Sequence, residues 1–146
     1  MITLTADAGS TPDSPTRSSG EARILLVEDS PLLQVRLAEL LERPGLHRVC
    51  QVVDCARDAQ AAIDAGDFEV LVVDLQLRQG TGLEVITHAR RRYAEGRQPL
   101  IIVLTNFGIP IVEARCRKAG ADHFLDKIRH FERILSLIQD WRGTRT

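Results

Sequence analysis

Val70-Leu71-Val72-Val73-Asp74, continued by Leu75-Gln76-Leu77-Arg78-Gln79-Gly80-Thr81-Gly82, is the stretch from which the rest of the chain is read. A short apolar run rich in β-branched residues predicts a strand buried on both faces. It ends on a carboxylate, and a loop with two glycines follows at once. A buried charge is costly unless something pairs with it. Asp74 is therefore either a turn-forming cap or a site residue at the carboxyl end of a strand.

Working outward, the same pattern recurs. Arg23-Ile24-Leu25-Leu26-Val27 is a second buried-strand run, and it too ends in acid, Glu28-Asp29. Ser30-Pro31 supplies a helix cap with Pro at the first helical position. Leu33, Leu37, Leu40 and Leu41 then form one apolar stripe, which Pro44-Gly45 stops. Val49 to Val53 predicts a strand, with Asp58 near the cap of an Ala-rich helix that runs through Ala65 and closes at Gly66. After the Asp74 strand, a helix from about Leu83 to Ala94 turns Leu83, Ile86 and Ala89 inward and holds Arg90, Arg91, Arg92 and Arg97 on its outer, solvated face. Leu100 to Leu104 is a third strongly apolar strand ending in Thr105-Asn106. A helix from Pro110 to Ala119 ends at Gly120, a strand from Asp122 to Asp126 delivers Lys127, and a last helix spans about Phe131 to Trp141.

Five strands alternating with five helices through short loops imply a parallel sheet covered on both faces. The expected layout is a flexible extension over residues 1–22, one domain over 23–142 and a frayed tail over 143–146. The leader is rich in Thr, Ser, Asp, Gly and Pro and cannot bury enough surface to offset the entropy of ordering.

The 146 residues suit one domain with its own core. A net charge of −1 gives no sign of bulk nucleic-acid affinity. Three cysteines, Cys50, Cys55 and Cys116, have no metal-like spacing, and their odd count argues against a disulfide framework. No run approaches the roughly 18 apolar residues of a membrane span, and the start lacks the regions of a signal peptide. Together these point to a cytoplasmic protein that contacts neither membrane nor DNA.

A parallel sheet places every strand's carboxyl end on one edge, so Glu28, Asp29, Asp74, Thr105 and Lys127 converge where open α/β sheets bind ligands. Singly, each has an ordinary explanation as a cap, a strand end or surface charge. Jointly, three carboxylates at one edge suit a hard divalent cation such as Mg2+, which takes oxygen ligands and keeps room for water and a phosphoryl oxygen. One of Glu28 and Asp29 would bind it directly and the other through water, and the main-chain carbonyl of Gln76 is a further ligand. Asp74 beside the ion can act as nucleophile toward phosphorus, with Thr105 and Lys127 on the phosphoryl oxygens.

From about Arg23 to Trp141 the chain resembles the receiver domain of two-component response regulators. The resemblance is carried by Ile24-Leu25-Leu26-Val27-Glu28-Asp29-Ser30, Val72-Val73-Asp74, Gly80-Thr81-Gly82, Leu104-Thr105-Asn106 and Ala119-Gly120-Ala121-Asp122 leading to Lys127. It implies a flavodoxin-like, doubly wound sheet of five parallel strands in the order 2-1-3-4-5. It also implies a phosphoacceptor at Asp74, acidic metal ligands at Glu28 and Asp29, a switch hydroxyl at Thr105, the lysine at Lys127 and a switch aromatic at Phe124.

Three positions depart from the family pattern. Ile128 follows the lysine where Pro is frequent, which implies a trans loop set differently. Arg78 stands where many members have Pro, and Phe124 lacks the hydroxyl of a Tyr, so a rotamer switch there works by packing alone.

The expected function is a stand-alone receiver in a two-component phosphorelay. It would take its phosphoryl group from a sensor histidine kinase or histidine phosphotransfer protein and catalyse only its own phosphorylation and dephosphorylation. It would signal to a downstream protein through the 110–141 face, where Ile111, Val112, Arg115, His123 and Phe131 are candidates. The alternative is a receiver-like interaction module that works without phosphorylation. A small-molecule phosphohydrolase would want a second catalytic carboxylate just beyond the nucleophile; Leu75, Gln76 and Leu77 supply none. Nucleotide-binding loops of the GxGxxG or GxxxxGK[ST] kind are absent from the strand ends.

Overall fold

The computed structural model describes residues 20–106, 108–127, 129–130 and 132–145. Most of the expected leader, residues 1–19, lies outside the described residues, as do Ile128 and Phe131. The elements run β1 (Ala22–Val27), α1 (Pro31–Leu41), β2 (His47–Val53), α2 (Ala56–Ala65), β3 (Val70–Asp74), α3 (Gly82–Arg92), β4 (Leu100–Thr105), α4 (Pro110–Ala119), β5 (His123–Asp126) and α5 (Arg133–Arg145). Every strand pairing is parallel, and the spatial order is β2-β1-β3-β4-β5, the 2-1-3-4-5 arrangement that the resemblance implies.

The apolar runs sit at the centre because they must be covered on both sides. β3 and β4 are buried at every residue. Alternate side chains of the central strands then feed two separate layers. Leu25, Val27, Leu71, Val73, Ile101 and Val103 pack with α2, α3 and Cys116 of α4, while Ile24, Leu26, Val70, Val72, Ile102 and Leu104 pack with α1 and α5.

Several boundaries move for identifiable reasons. β1 starts at Ala22, whose amide donates to Leu46 O at 2.8 Å, so the ordered domain begins before Arg23. β2 starts at His47 because its pairing with β1 opens at Ala22 opposite His47. The inward stripe of α3 includes Val85 beside Ile86 and Ala89, with Leu83 only partly buried. α5 continues past Trp141 to Arg145, so residues 143–145 are helical where a frayed tail is expected, and Thr146 lies outside the described residues; Arg142 anchors the helix by donating to Leu46 O at 2.8 Å and to Gly20 O.

Arg90 does not join its neighbours on the solvated face. Its guanidinium is half-buried and donates to Gly120 O at 3.0 and 2.6 Å, Pro99 O at 3.0 Å, Gln98 Oε1 at 2.8 Å and Asp122 Oδ2 at 3.0 Å. Gly120 has φ 125, and a Cβ there would lie 2.6 Å from Arg90 Cγ. The side chain thus fastens the end of α3 to the turn between α4 and β5. Arg90→Ala is expected to lower unfolding free energy by about 1–3 kcal/mol, because partly buried carbonyls lose their donor. Arg91→Ala should stay within about 0.5 kcal/mol. Urea unfolding of the two variants checks the contrast; equal stabilities would contradict it.

Candidate functional site at the carboxyl edge of the sheet

The parallel register decides which side chains meet. Val27 pairs with Val73, so Glu28 and Asp74 follow at neighbouring strand ends. Asp74 in turn pairs with Leu104, and Thr105 with Asp126, which sets Lys127 one residue beyond the ladder. The Lys127 amide donates to Thr105 O at 2.9 Å and prolongs that ladder.

Lys127 Nζ lies 3.0 Å from Glu28 Oε1 and 3.0 Å from Asp74 Oδ2. The three groups are almost shut off from water: Glu28 is 0% exposed and Asp74 4%. The second Glu28 oxygen accepts from Ser30 N at 3.0 Å, and the Glu28 carbonyl accepts from Gln34 Nε2 at 2.6 Å. The Gln76 amide donates to Asp74 Oδ1 at 3.2 Å. Gly82 completes the packing, since a Cβ there would fall 2.6 Å from Asp74 O.

Burial, and next the charge of Glu28, push the Asp74 carboxyl up to about 6 against the opposing pull of Lys127 and the Gln76 amide. Burial alone would lower the Lys127 ammonium, but the two carboxylates outweigh it and hold its pKa above the ordinary lysine value.

Glu28, half-buried Asp29 and Asp74 each offer an oxygen within 4.8 Å of the others. Glu28 Oε1 receives no directed hydrogen bond beyond its ion pair with Lys127. An all-oxygen, multiply charged donor set with an undersatisfied buried oxygen fits a hard cation such as Mg2+. The other metal-capable cluster among the described residues, Asp54, Cys55 and Asp58, mixes a thiol with carboxylates and already holds the Arg78 guanidinium, 2.9 Å from Asp54.

The structure therefore brings together Glu28, Asp29, Asp74 and Lys127, with Thr105 buried on the adjoining strand end. Gln76 is exposed, with its amide on the Asp74 carboxylate. Phe124 is half-buried against the α2–α4 layer, near Gly108. Of the candidates on the 110–141 face, Ile111 (64% exposed) and Arg115 are open to solvent, whereas Val112 and His123 are half-buried. Gln34, which holds the Glu28 carbonyl, was not foreseen: nothing in the sequence distinguishes it from any polar residue on α1.

A carboxyl whose folded pKa exceeds its unfolded value costs the fold stability when charged. For Asp74 that cost is absent below about pH 4 and complete above about pH 6. Asp74→Asn removes it, so in chelator at pH 7.5 the variant should be more stable than the parent by on the order of 2 kcal/mol, several degrees in melting temperature. The gap should close toward pH 4. Parallel melting curves at the two pH values check this, and no gap at pH 7.5 would contradict it.

A family model, the response regulator receiver domain, matches residues 24–139. The chain is 32% identical over 128 residues to the transcriptional regulatory protein TcrA of Mycobacterium tuberculosis, covering 86% of this chain and 49% of that protein. It is 32% identical over 104 residues to the photosynthetic apparatus regulatory protein RegA of Rhodobacter capsulatus, covering 71% of this chain and 54% of the other. The chain thus spans about half the length of these relatives. Among solved structures it superposes on the receiver domain of sensor histidine kinase PA1611 of Pseudomonas aeruginosa, which has a magnesium ion in its active-site cleft. That match has a TM-score of 0.71 and 24% identity over 84% of this chain and 98% of the other.

Proposed function

The chain belongs to the response regulator receiver family, a component of two-component signalling, and from that premise we propose that it accepts a phosphoryl group on Asp74. The donor would be the phosphohistidine of a sensor kinase or a histidine phosphotransfer protein. The observation that carries this reading is the buried trio of Asp74, Glu28 and Lys127 at the carboxyl edge of the sheet. Mg2+ would be held by Glu28, Asp29 and Asp74, with the Gln76 carbonyl as a further ligand, and would neutralise charge on the transferring group.

In the transfer, an Asp74 oxygen attacks phosphorus, the P–N bond of the phosphohistidine breaks, and its electron pair stays on the imidazole. The product is an acyl phosphate. An Asp74 carboxyl pushed up to about 6 is ionised and nucleophilic at neutral pH. Lys127 is already in place to turn from the carboxylate to a phosphoryl oxygen, and Thr105, on the next strand end, would supply a hydroxyl to another. Asp74 cannot then carry the charge that Lys127 balanced, so the balance of contacts at the edge changes. A shift in the population of two conformers, with Thr105 and Phe124 as the moving parts, would carry that change outward. The exposed part of the 110–141 face, including Ile111 and Arg115, offers the contact for a downstream protein. The only chemistry the chain catalyses on this reading is its own phosphorylation and dephosphorylation.

Incubation with Mg2+ and phosphoramidate, followed by intact-mass measurement, should show a gain of one phosphoryl group. Chelator or Asp74→Asn should abolish it. No gain in folded protein would favour an interaction module that works without phosphorylation, and a gain that survives Asp74→Asn would place the nucleophile elsewhere.

A further inference from the structure

The loop between β3 and α3, residues 75–81, is closed at its base and fastened at its tip. At the base, Gln76 bridges Thr81 and the Gly82 amide donates to Leu75 O at 3.0 Å. At the tip, Arg78 Nε lies 2.9 Å from Asp54 Oδ1, and Arg78 Nη2 lies 3.6 Å from Cys55 Sγ. Ala56 N donates to Gln79 O at 2.9 Å and Arg57 N to Gln79 Oε1 at 3.0 Å.

Ala56 and Arg57 are the first two residues of α2, whose amides have no acceptor within their own helix. The loop tip satisfies both, so it caps a helix distant in sequence. Contact is close enough to demand glycine at position 80: φ is 74, and a Cβ would lie 2.4 Å from Ala56 Cβ. The same loop carries the Gln76 amide that holds Asp74 Oδ1 at 3.2 Å. A continuous set of contacts therefore runs from the start of α2, through the loop, to the carboxylate of Asp74.

We propose that Arg78 and Gln79 are positioning residues, which by fastening the loop tip to Asp54, Ala56 and Arg57 hold the Gln76 peptide and the Asp74 carboxylate in the orientation that Mg2+ binding requires. The role rests on the receiver function proposed above. Proline at position 78 would restrain this loop through its own ring. Arginine leaves the backbone freer and restrains it through a partner, so residue 54 becomes part of the device. The ion pair is solvent-exposed and worth little by itself. Its leverage comes from acting beside two helix-capping bonds on a short loop whose ordering entropy it helps offset.

The test compares the parent with Arg78→Ala, Gln79→Ala and the charge exchange Asp54→Arg with Arg78→Asp. In metal-free protein, hydrogen exchange at the Gln76, Ala56 and Arg57 amides should quicken severalfold in Arg78→Ala and Gln79→Ala, and the charge exchange should slow it again relative to Arg78→Ala. By calorimetry, the Mg2+ dissociation constant should rise roughly two- to fivefold in Arg78→Ala and recover in the charge exchange. In phosphoramidate assays the Mg2+ concentration for half-maximal uptake should rise while the rate at saturating Mg2+ holds. Unchanged Gln76 exchange and unchanged Mg2+ affinity in folded Arg78→Ala would overturn the proposal, as would a charge exchange that restores neither. Quickened exchange together with no Mg2+ binding by the parent would overturn the receiver reading, and this role with it, while upholding the fastening of the loop.

Discussion

The ammonium of Lys127, shared at 3.0 Å between Glu28 and Asp74, is the interaction on which the rest of this edge depends. Two carboxylates with oxygens no more than 4.8 Å apart repel by upwards of about 3.5 kcal/mol at an effective dielectric near 20, while a cation at 3.0 Å attracts each by about 5.5 kcal/mol. Attraction exceeds mutual repulsion, which is how the charges can be buried at all. It does not fully offset desolvation as well, and the remainder appears as an Asp74 carboxyl pushed up to about 6. Residual negative charge in a water-poor edge is what a divalent cation would relieve. The same imbalance makes the site responsive, because bonding one Asp74 oxygen to phosphorus changes what Lys127 faces.

The sheet supplies the precision. β3 is buried along its whole length and flanked by β1 and β4 in parallel register, so the ladders, which reach Val73 on the β1 side and Asp74 on the β4 side, place the Asp74 backbone, while the Gln76 amide of the following loop holds its carboxylate. Lys127 comes from an edge strand, yet its amide continues the ladder on Thr105 O. The two helical layers divide the work beneath. Phe124 packs with the layer of α2, α3 and α4, whereas Leu125, its neighbour, faces α1 and α5. A displacement of Phe124 would thus be felt on one side of the sheet first.

Much of this was legible before any coordinates. Continuous apolar runs ending in Asp or Thr announced central parallel strands, and parallelism alone gathered Glu28, Asp29, Asp74, Thr105 and Lys127 on one edge. What escaped was what spacing does not encode. Arg90 reads as one of three consecutive arginines, and only the tertiary approach of Gly120 turns it inward. The sequence reads as a last helix ending near Trp141; the helix continues, and Arg142 finds the carbonyls of Gly20, before β1, and Leu46, before β2. Arg78 stood out as a departure from the family pattern, but its partner Asp54 lies in a different loop, and nothing local links the two.

The most direct test of the charge balance at this edge is carbon-detected NMR titration of the Asp74 side-chain carboxyl, metal-free and with Mg2+. A midpoint near 6 is expected without metal, well above the ordinary aspartate range, with a clear downward displacement when Mg2+ is present. A midpoint near 4 that Mg2+ leaves unmoved would contradict it, because Asp74 would then be neither strained by burial beside Glu28 nor a ligand of the cation.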